Sequence, residues 1–446
     1  MRGAVGAAAV LLVIAAGAPP RADAQQTLDL NEAIRTALIR NPGITRAEAN
    51  AATAAADRWA DWGALLPSVT TNASFNVNHS STITFLEPDG SRTVLDDPLV
   101  SDTKGNGASL SLGLSLSAET FTNVNAGADR RAAAEYRLDA AQRLVVQQVK
   151  VAYFEALKAE RLVEVARRQA DARAEDYEVT QDRYRIAAAS RSDLLGSEID
   201  LRNAELAVLD AEDAFDSAVR ALRVAQGVED MTVTEVTLVE PAEAPIADAL
   251  DTEALVDAAV RSNPDLRALA ADEQAAAASV WSARASYFPI LNASWSFGRS
   301  INLGSNESLF TFHPANSSRG LQIGVSLPIF NGFQRKQRNA SASNQLSIAR
   351  ANLKDQRLAL ESDVRRLVAD IRRGTRRVEV LEQNALLAEE RLDLTREQYR
   401  IGSVQYINLQ QAIESLDQAQ RAVFEQRYEL LKRWAELEQA VGDAPR

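Results

Sequence analysis

The chain of 446 residues has no cysteine. That absence excludes disulfides, thiolate metal sites and a lipid-bearing N-terminal cysteine. Its two histidines, His79 and His313, fall in polar, loop-like text. They occupy loosely comparable places in the sequence, but solvated loop residues explain them better than a metal pair. Basic side chains (49) are outnumbered by acidic ones (61), which argues against a nucleic-acid partner. Beyond the N-terminus no apolar run reaches the ~18 residues of a transmembrane helix. No phosphate-cradling glycine loop and no nucleophile constellation is present, so neither catalysis nor a cofactor is expected. Aromatic residues are few, at 6%. Ala, Leu, Glu, Arg and Gln dominate instead, as in long helices.

What is present begins with a targeting pattern. Arg2, an apolar run from Ala7 to Ala16 and Ala22-Asp23-Ala24 follow the order of a secretory signal peptide. Residues 1–24 are assigned to it, and the mature chain is expected to start near Gln25.

The rest is written twice. At one constant offset, Leu28-Asp29 meets Leu250-Asp251, Asn41-Pro42 meets Asn263-Pro264, Trp59 meets Trp281 and Pro67 meets Pro289. At a second offset, Tyr184-Arg185-Ile186 meets Tyr399-Arg400-Ile401 and Gly227 meets Gly442. Rare residues coincide, and the repeat is far longer than a solenoid unit. The first repeat is placed at 25–227, a linker at 228–249 with a short strand at Thr232–Val239, and the second repeat at 250–446. In each, an Asn-Pro break splits a first helix, because the residue before proline leaves the helical region. Two strands follow, at about 68–78 and 108–118, and at about 289–303 and 320–330. Polar text rich in Gly, Asp and Pro at 79–107 reads as the first connecting loop. A proline-free stretch then predicts a helix of nearly 100 Å at ~1.5 Å per residue. It turns at about 187–193 in the first half and 402–408 in the second, and returns as another helix.

The strands have two unlike faces. In "SLSLGLSLS", Leu110, Leu112, Leu114 and Leu116 alternate with Ser109, Ser111, Gly113, Ser115 and Ser117. Leu321, Ile323, Val325 and Leu327 repeat the apolar face in the second half, and Phe75, Trp295 and Phe297 fall on it too. In a soluble sandwich such a face is core. Only four such strands exist, however, inserted as two hairpins between helices too long for a compact globule. Their length suits tilted strands crossing a bilayer. An open sheet in lipid leaves two unsatisfied edges at several kcal/mol per group, and bacterial barrels use even strand numbers from eight upward. One chain therefore cannot close a barrel. Two chains supply eight strands and three supply twelve, and a twelve-stranded barrel leaves a water path. Leucines then face lipid and serines face a pore.

By its order of motifs the chain resembles the TolC family of outer-membrane efflux and secretion proteins. The resemblance is carried by "LDLNEAIRTALIRNP" and its echo "LDTEALVDAAVRSNP", by "LLPSV" and "YFPIL", by "LPIFNGFQRKQ", and by the turns "YRIAAASRSDLL" and "YRIGSVQYINLQ". It implies a mainly α fold with membrane β. In it, duplicated long helices form a periplasmic tunnel and four strands per chain contribute to a trimeric 12-stranded barrel in the outer membrane. It implies a conduit rather than an enzyme: the exit duct of a tripartite efflux pump or type I secretion system, carrying small molecules or proteins. The implied partners are two further copies, a periplasmic adaptor, an inner-membrane pump and outer-membrane lipid. The competing reading is a periplasmic coiled-coil adaptor without a barrel, against which the four amphipathic strands speak.

The resemblance also points to residues. It implies a closed tip locked by a hydrogen bond between Tyr399 and Asp193, with Ser192 beside the carboxylate. The family's locking arginine falls on Val404, and its acidic constriction falls on Asn408 and Gln411, both neutral. Glu414, one turn further on, is the candidate replacement for lumen selectivity. Trp59 and Trp281, just before the strands, are expected to anchor the barrel–tunnel junction.

Overall fold

The computed structural model describes residues 26–86, 88–229, 236–240, 250–303 and 316–442. The expected signal peptide, His313 and parts of the linker lie outside the described residues.

Each half opens on two helices hinged at Asn-Pro. α1 (Leu30–Arg40) stops at Asn41 and α2 (Pro42–Gly63) starts immediately after it. Asn41 has extended backbone, as a residue before proline must, and its Oδ1 accepts from the Gly43 amide at 2.7 Å. The chain goes on through β2 (Ser68–Leu86), β3 (Arg92–Leu116), α3 (Ala118–Arg185) and α4 (Arg191–Gln226). The second half copies this order with α5 (Thr252–Ser262), α6 (Pro264–Ala285), β5 (Ile290–Leu303), β6 (Ser317–Ser326), α7 (Gln334–Arg400) and α8 (Tyr406–Val441). At ~1.5 Å per residue, the 68 residues of α3 and the 67 of α7 each span roughly 100 Å.

Two short strands join the halves. β1 (Gln26–Leu28) pairs in parallel with β4 (Val236–Leu238), so the strand expected in the linker is present over three residues. Tyr153 of α3 lies fully buried beneath them. Its hydroxyl lies 2.9 Å from the Leu28 carbonyl and 2.7 Å from that of Val239, and it accepts from the Val239 amide at 2.9 Å. Burial pushes this phenol up to about 12. The apolar core gathers at this level. One cluster joins Ile44, Val149, Leu157, Leu222 and Tyr428, and a second joins Val256, Val364, Ile371, Trp434 and Leu437.

The long strands form one antiparallel sheet in the order β2-β3-β5-β6. Above the core the helices are packed in the same order, α2-α3-α6-α7; below it the order is α4-α3-α8-α7. Among the described residues the rows are open: β2 and β6 pair on one side only, α2 and α7 end the upper row of helices, and α4 and α7 end the lower one. The sheet is bare on its apolar face: Leu321, Ile323 and Val325 are 70%, 67% and 71% exposed. That removes the soluble-sandwich reading, in which these residues would be core.

The first hairpin is longer than the sequence suggested. Residues 79–82 pair with 99–102 and 84–86 with 92–94 instead of looping, so β2 and β3 run past the last β3–β5 pair, Lys104 with Leu303. The reason is local. Only residues 88–91 carry turn chemistry: Asp89 Oδ1 accepts from the Ser91 amide and hydroxyl at 3.0 and 2.7 Å, and Gly90 takes φ 86°. Pro98 is absorbed at an irregularity between the Thr82 and Thr84 pairings, where no ladder donor is needed.

Candidate functional site: a two-faced wall and a clasped tip

The register joins the apolar residues of both halves into one surface. Val69, Leu112, Trp295 and Leu321 share a row, as do Leu114, Ala293 and Ile323, and Leu116, Leu291 and Val325. Leu110 pairs with Phe297, Phe75 lies further along, and Leu327 follows the end of β6. The opposite face is hydroxyl and amide. Thr70 Oγ1 meets Ser111 Oγ at 2.6 Å across it. Every described glycine of the sheet, from Gly105 in β3 to Gly324 in β6, has the parity of this polar face. A Cβ at Gly298 would already meet Ser318 Oγ at 3.0 Å. Side chains crowd on the concave side of a curved sheet, so bare glycines mark the polar face as the inner one.

Trp59 and Trp281 do not anchor a packed junction within the chain. They are 79% and 64% exposed, and the Arg284 guanidinium lies over the Trp281 ring at 5.5 Å. At the strand-to-helix turn before α7, Gly332 and Phe333 both take positive φ, and Phe330 and Phe333 meet edge to face at 5.5 Å.

At the other end α3 and α7 turn back. The Asp193–Tyr399 hydrogen bond is not formed within the chain. Asp193 is engaged in its own helix cap: its Oδ2 accepts from the Ser190 amide, and its amide donates to Ser190 Oγ, both at 3.1 Å. Ser192 is exposed beside it. Tyr399 is buried, with its hydroxyl 3.2 Å from Thr180 Oγ1.

Arg183 clasps the two turns instead. Its guanidinium lies over the Tyr399 ring at 4.5 Å, donates to the Tyr399 carbonyl, and donates to the Ala188 carbonyl of the first turn at 3.1 Å. A tyrosine–aspartate bond does exist, but seven residues further along each segment. Tyr406 donates to Asp200 Oδ2 at 2.7 Å, Gln410 donates to Asp200 Oδ1 at 3.4 Å, and Arg173 lies 3.8 Å from the same carboxylate. Burial, then the accepting Asp200, push the Tyr406 phenol up, so it stays a donor. Arg396 lies 3.5 Å from Asp176. Burial pushes the Asp176 carboxyl up against the opposing pull of that arginine. Val404 packs against the cluster of Leu392, Tyr399, Leu409 and Ile413. The heptad spacing from 193 to 200 was visible in the sequence, since residues seven apart share a helix face; the partner of each was not.

Asn408, Gln411 and Glu414 are all exposed along α8 at a spacing of three. They line one flank of the helix, with Glu414 the one carboxylate. Among the described residues no group of three or more His, Asp or Glu is placed to hold a metal ion, and no helix is long and apolar enough to cross a membrane.

These features have close counterparts. The outer membrane efflux protein family matches residues 33–228 and 255–443, once for each repeat. Protein CyaE of Bordetella pertussis is 29% identical over 362 residues, covering 79% of this chain and 71% of that protein. Alkaline protease secretion protein AprF of Pseudomonas aeruginosa is 23% identical over 325 residues, covering 73% of this chain and 66% of its own length. In fold, the CmeC outer membrane channel of Campylobacter jejuni superposes with a TM-score of 0.78 at 17% identity, over 93% of this chain and 85% of that one.

Proposed function

The chain belongs to the outer membrane efflux protein family and is an exit duct of efflux or secretion machinery; from that premise we propose that three copies close one barrel and one tunnel. The carrying observation is the open wall. The sheet has two unpaired edges, and the helices repeat its order with two unpaired edges of their own. Pairing β6 of one copy with β2 of the next is a heterologous contact, which closes only as a ring. Three copies give twelve strands, enough for a polar water path where eight are filled by their own side chains. The lower edges support the same ring. On α7 and its C-cap, Val380, Leu387, Leu394 and Ile401 form an exposed seam at a spacing of seven; on α4, Leu195, Ile199, Leu206 and Leu209 form another. Heptad seams of this kind seat against a neighbouring helix.

The role is conduction rather than catalysis. The clasped tip faces the periplasm, where a periplasmic adaptor and an inner-membrane pump would dock. Arg183 and the Tyr406–Asp200 bond hold the two turns of one copy together. A hydrogen bond to a charged group contributes about 1.5–3 kcal/mol, and the ring repeats it in each copy. An adaptor opens such a tip by binding its open form better than its closed one. Asn408, Gln411 and Glu414, on an exposed flank of α8, are the residues proposed to meet the cargo there.

The test is purified protein in detergent and in planar bilayers. The expected result is a particle of three chains with a low resting conductance. Tyr406→Phe and Asp200→Asn should each raise that conductance without changing the chain count. A monodisperse single chain with intact β signal in lipid would overturn the ring. Unchanged conductance in both variants would overturn the clasp.

A further inference from the structure

Basic residues interrupt the apolar face of the sheet toward its outer end. Above Leu321 the same face of β6 presents Arg319, paired with Phe297 of β5. Two residues beyond Phe297, still on that face, stands Arg299. Both arginines are exposed. The Arg319 guanidinium leans on the Phe297 ring at 5.6 Å. Among the described residues neither has a carboxylate in ion-pair reach. By register they are diagonal neighbours, which places their Cα atoms about 7–8 Å apart.

Their height along the wall is defined by the strands. The chain leaves the sheet for the long helices at the Leu116, Leu291 and Val325 row, so that end faces the periplasm. Arg319 lies six residues beyond Val325. The Arg299 row lies eight beyond Leu116, since Arg299 pairs with Ala108. At ~3.3 Å per residue and a tilt of roughly 40°, the arginines stand about 15–20 Å above that row. Leu327, Ile329 and Phe330 extend the apolar band below it. The two cations therefore sit toward the outer end of a band about 25 Å tall, on its lipid side, with Phe75, Val77 and Ile301 beyond them on the same face. Because they point away from the pore, ring closure does not cover them.

We propose that Arg299 and Arg319 form a phosphate site for the lipid of the outer leaflet, the phosphorylated glucosamine headgroup of lipid A. The proposal rests on the outer-membrane barrel reading. Guanidinium forks match phosphate oxygens in pairs. Two of them over an apolar wall complement a headgroup whose phosphates sit directly above its acyl chains. Phe297 holds Arg319 against the wall by its ring face, which orients the fork toward the membrane rather than into bulk water. The place on the wall selects the source, because the outer half of the wall meets the leaflet that faces the cell exterior.

The test uses the full chain reconstituted into phosphatidylethanolamine vesicles. These are doped with bisphosphorylated lipid A, with dephosphorylated lipid A or with phosphatidylglycerol. Native mass spectrometry after extraction counts lipid retained per chain. The wild type should retain bisphosphorylated lipid A in preference to the other two. R299Q/R319Q should retain roughly tenfold less, as expected for losing at least one charge-assisted hydrogen bond, with an unchanged β signal and chain count. R299K/R319K should fall between. Equal retention by R299Q/R319Q and wild type overturns the proposal, as does equal retention of dephosphorylated lipid A by the wild type. Should the glutamine variant fail to insert, the wild-type comparison decides alone. A wild type that forms no barrel in any vesicle overturns the barrel reading and this site with it. A barrel without lipid A preference overturns this site only.

Discussion

In the first half, Asn41 caps α2 and its side-chain amide reaches across to the Ala225 carbonyl, at the end of α4, at 2.8 Å. In the second half, Asn263 caps α6 and its amide reaches the Ala440 carbonyl, at the end of α8, at 3.1 Å. Gly227 and Gly442 follow those helix ends, both in left-handed conformation. At the level of the core, then, the duplicated halves repeat the same cap, clamp and left-handed glycine. At both ends they differ. Among the described residues, β2 and β3 pair beyond the last β3–β5 pair, Lys104 with Leu303. The first turn at the tip is fastened by a Ser190–Asp193 capping box, whereas the second has no side-chain cap at Gln405 and a glycine, Gly402, at φ 81°. The difference teaches where duplication is held. An asparagine that must cap one helix and clamp another, against a backbone that approaches within contact, has few substitutes. A tip turn has many.

The comparison is broken most strongly at the two glycines. A Cβ at Gly227 would meet the Arg40 carbonyl oxygen at 2.6 Å and Asn41 Cα at 2.8 Å, both backbone. At Gly442 the near atoms are the Arg143 guanidinium at 2.3 Å and Ser262 Oγ at 2.9 Å, both side chain. Each alanine pays about 1–2 kcal/mol for the left-handed backbone, and Gly227→Ala adds about 1–3 kcal/mol of overpacking. Thermal unfolding should rank Gly227→Ala well below Gly442→Ala; equal losses would mean that the two junctions are interchangeable.

Next in size comes the wall. Leu112 of the first half and Leu321 of the second occupy one row. Arginine at either should weaken insertion by about 2–4 kcal/mol near the midplane, and by the same amount at both. Arginine at Ser111, on the polar face, should cost much less. Vesicle-insertion assays check this, and equal effects on both faces would reverse the inner and outer assignment.

Asn41→Ala and Asn263→Ala should each cost roughly 1–2 kcal/mol, since a cap and a clamp are lost together. Matching losses in denaturant unfolding sharpen the likeness of the halves. A loss in only one would show that the other clamp is dispensable.

The smallest effect concerns Asp176, which ties the first half to Arg396 of the second. Burial raises its folded value above the ordinary 3.8. In the window just above 3.8 the folded chain binds more protons at this group than the unfolded one. Its contribution to stability is then fullest at low pH and is lost as pH rises through the folded value. Relative to Asp176→Asn, the wild type should gain thermal stability as pH falls through that window. A difference that is flat with pH would show that the arginine fully compensates the burial.

The sequence by itself determined the duplication, the Asn-Pro hinges, the lengths of the four long helices and the two faces of the strands. All of these are local. Helical and strand periodicities, proline's exclusion from the residue before it and a glycine at a helix end act within a few residues. The tertiary structure decided the rest. The text at 79–107 looked like a loop by composition, and only pairing with a partner strand made most of it a hairpin. Tyr399 and Asp193 lie beside the two turns, yet within the chain each has another partner. Their contacts depend on how segments about 200 residues apart are set against each other: Asp193 and Asp200 lie on one helix, but Tyr399 and Tyr406 lie on either side of the turn between α7 and α8. The arginines at 299 and 319 likewise look like stray charges in the sequence. Only the strand register brings them together on one face, because pairing between strands aligns residues that the chain itself keeps twenty positions apart.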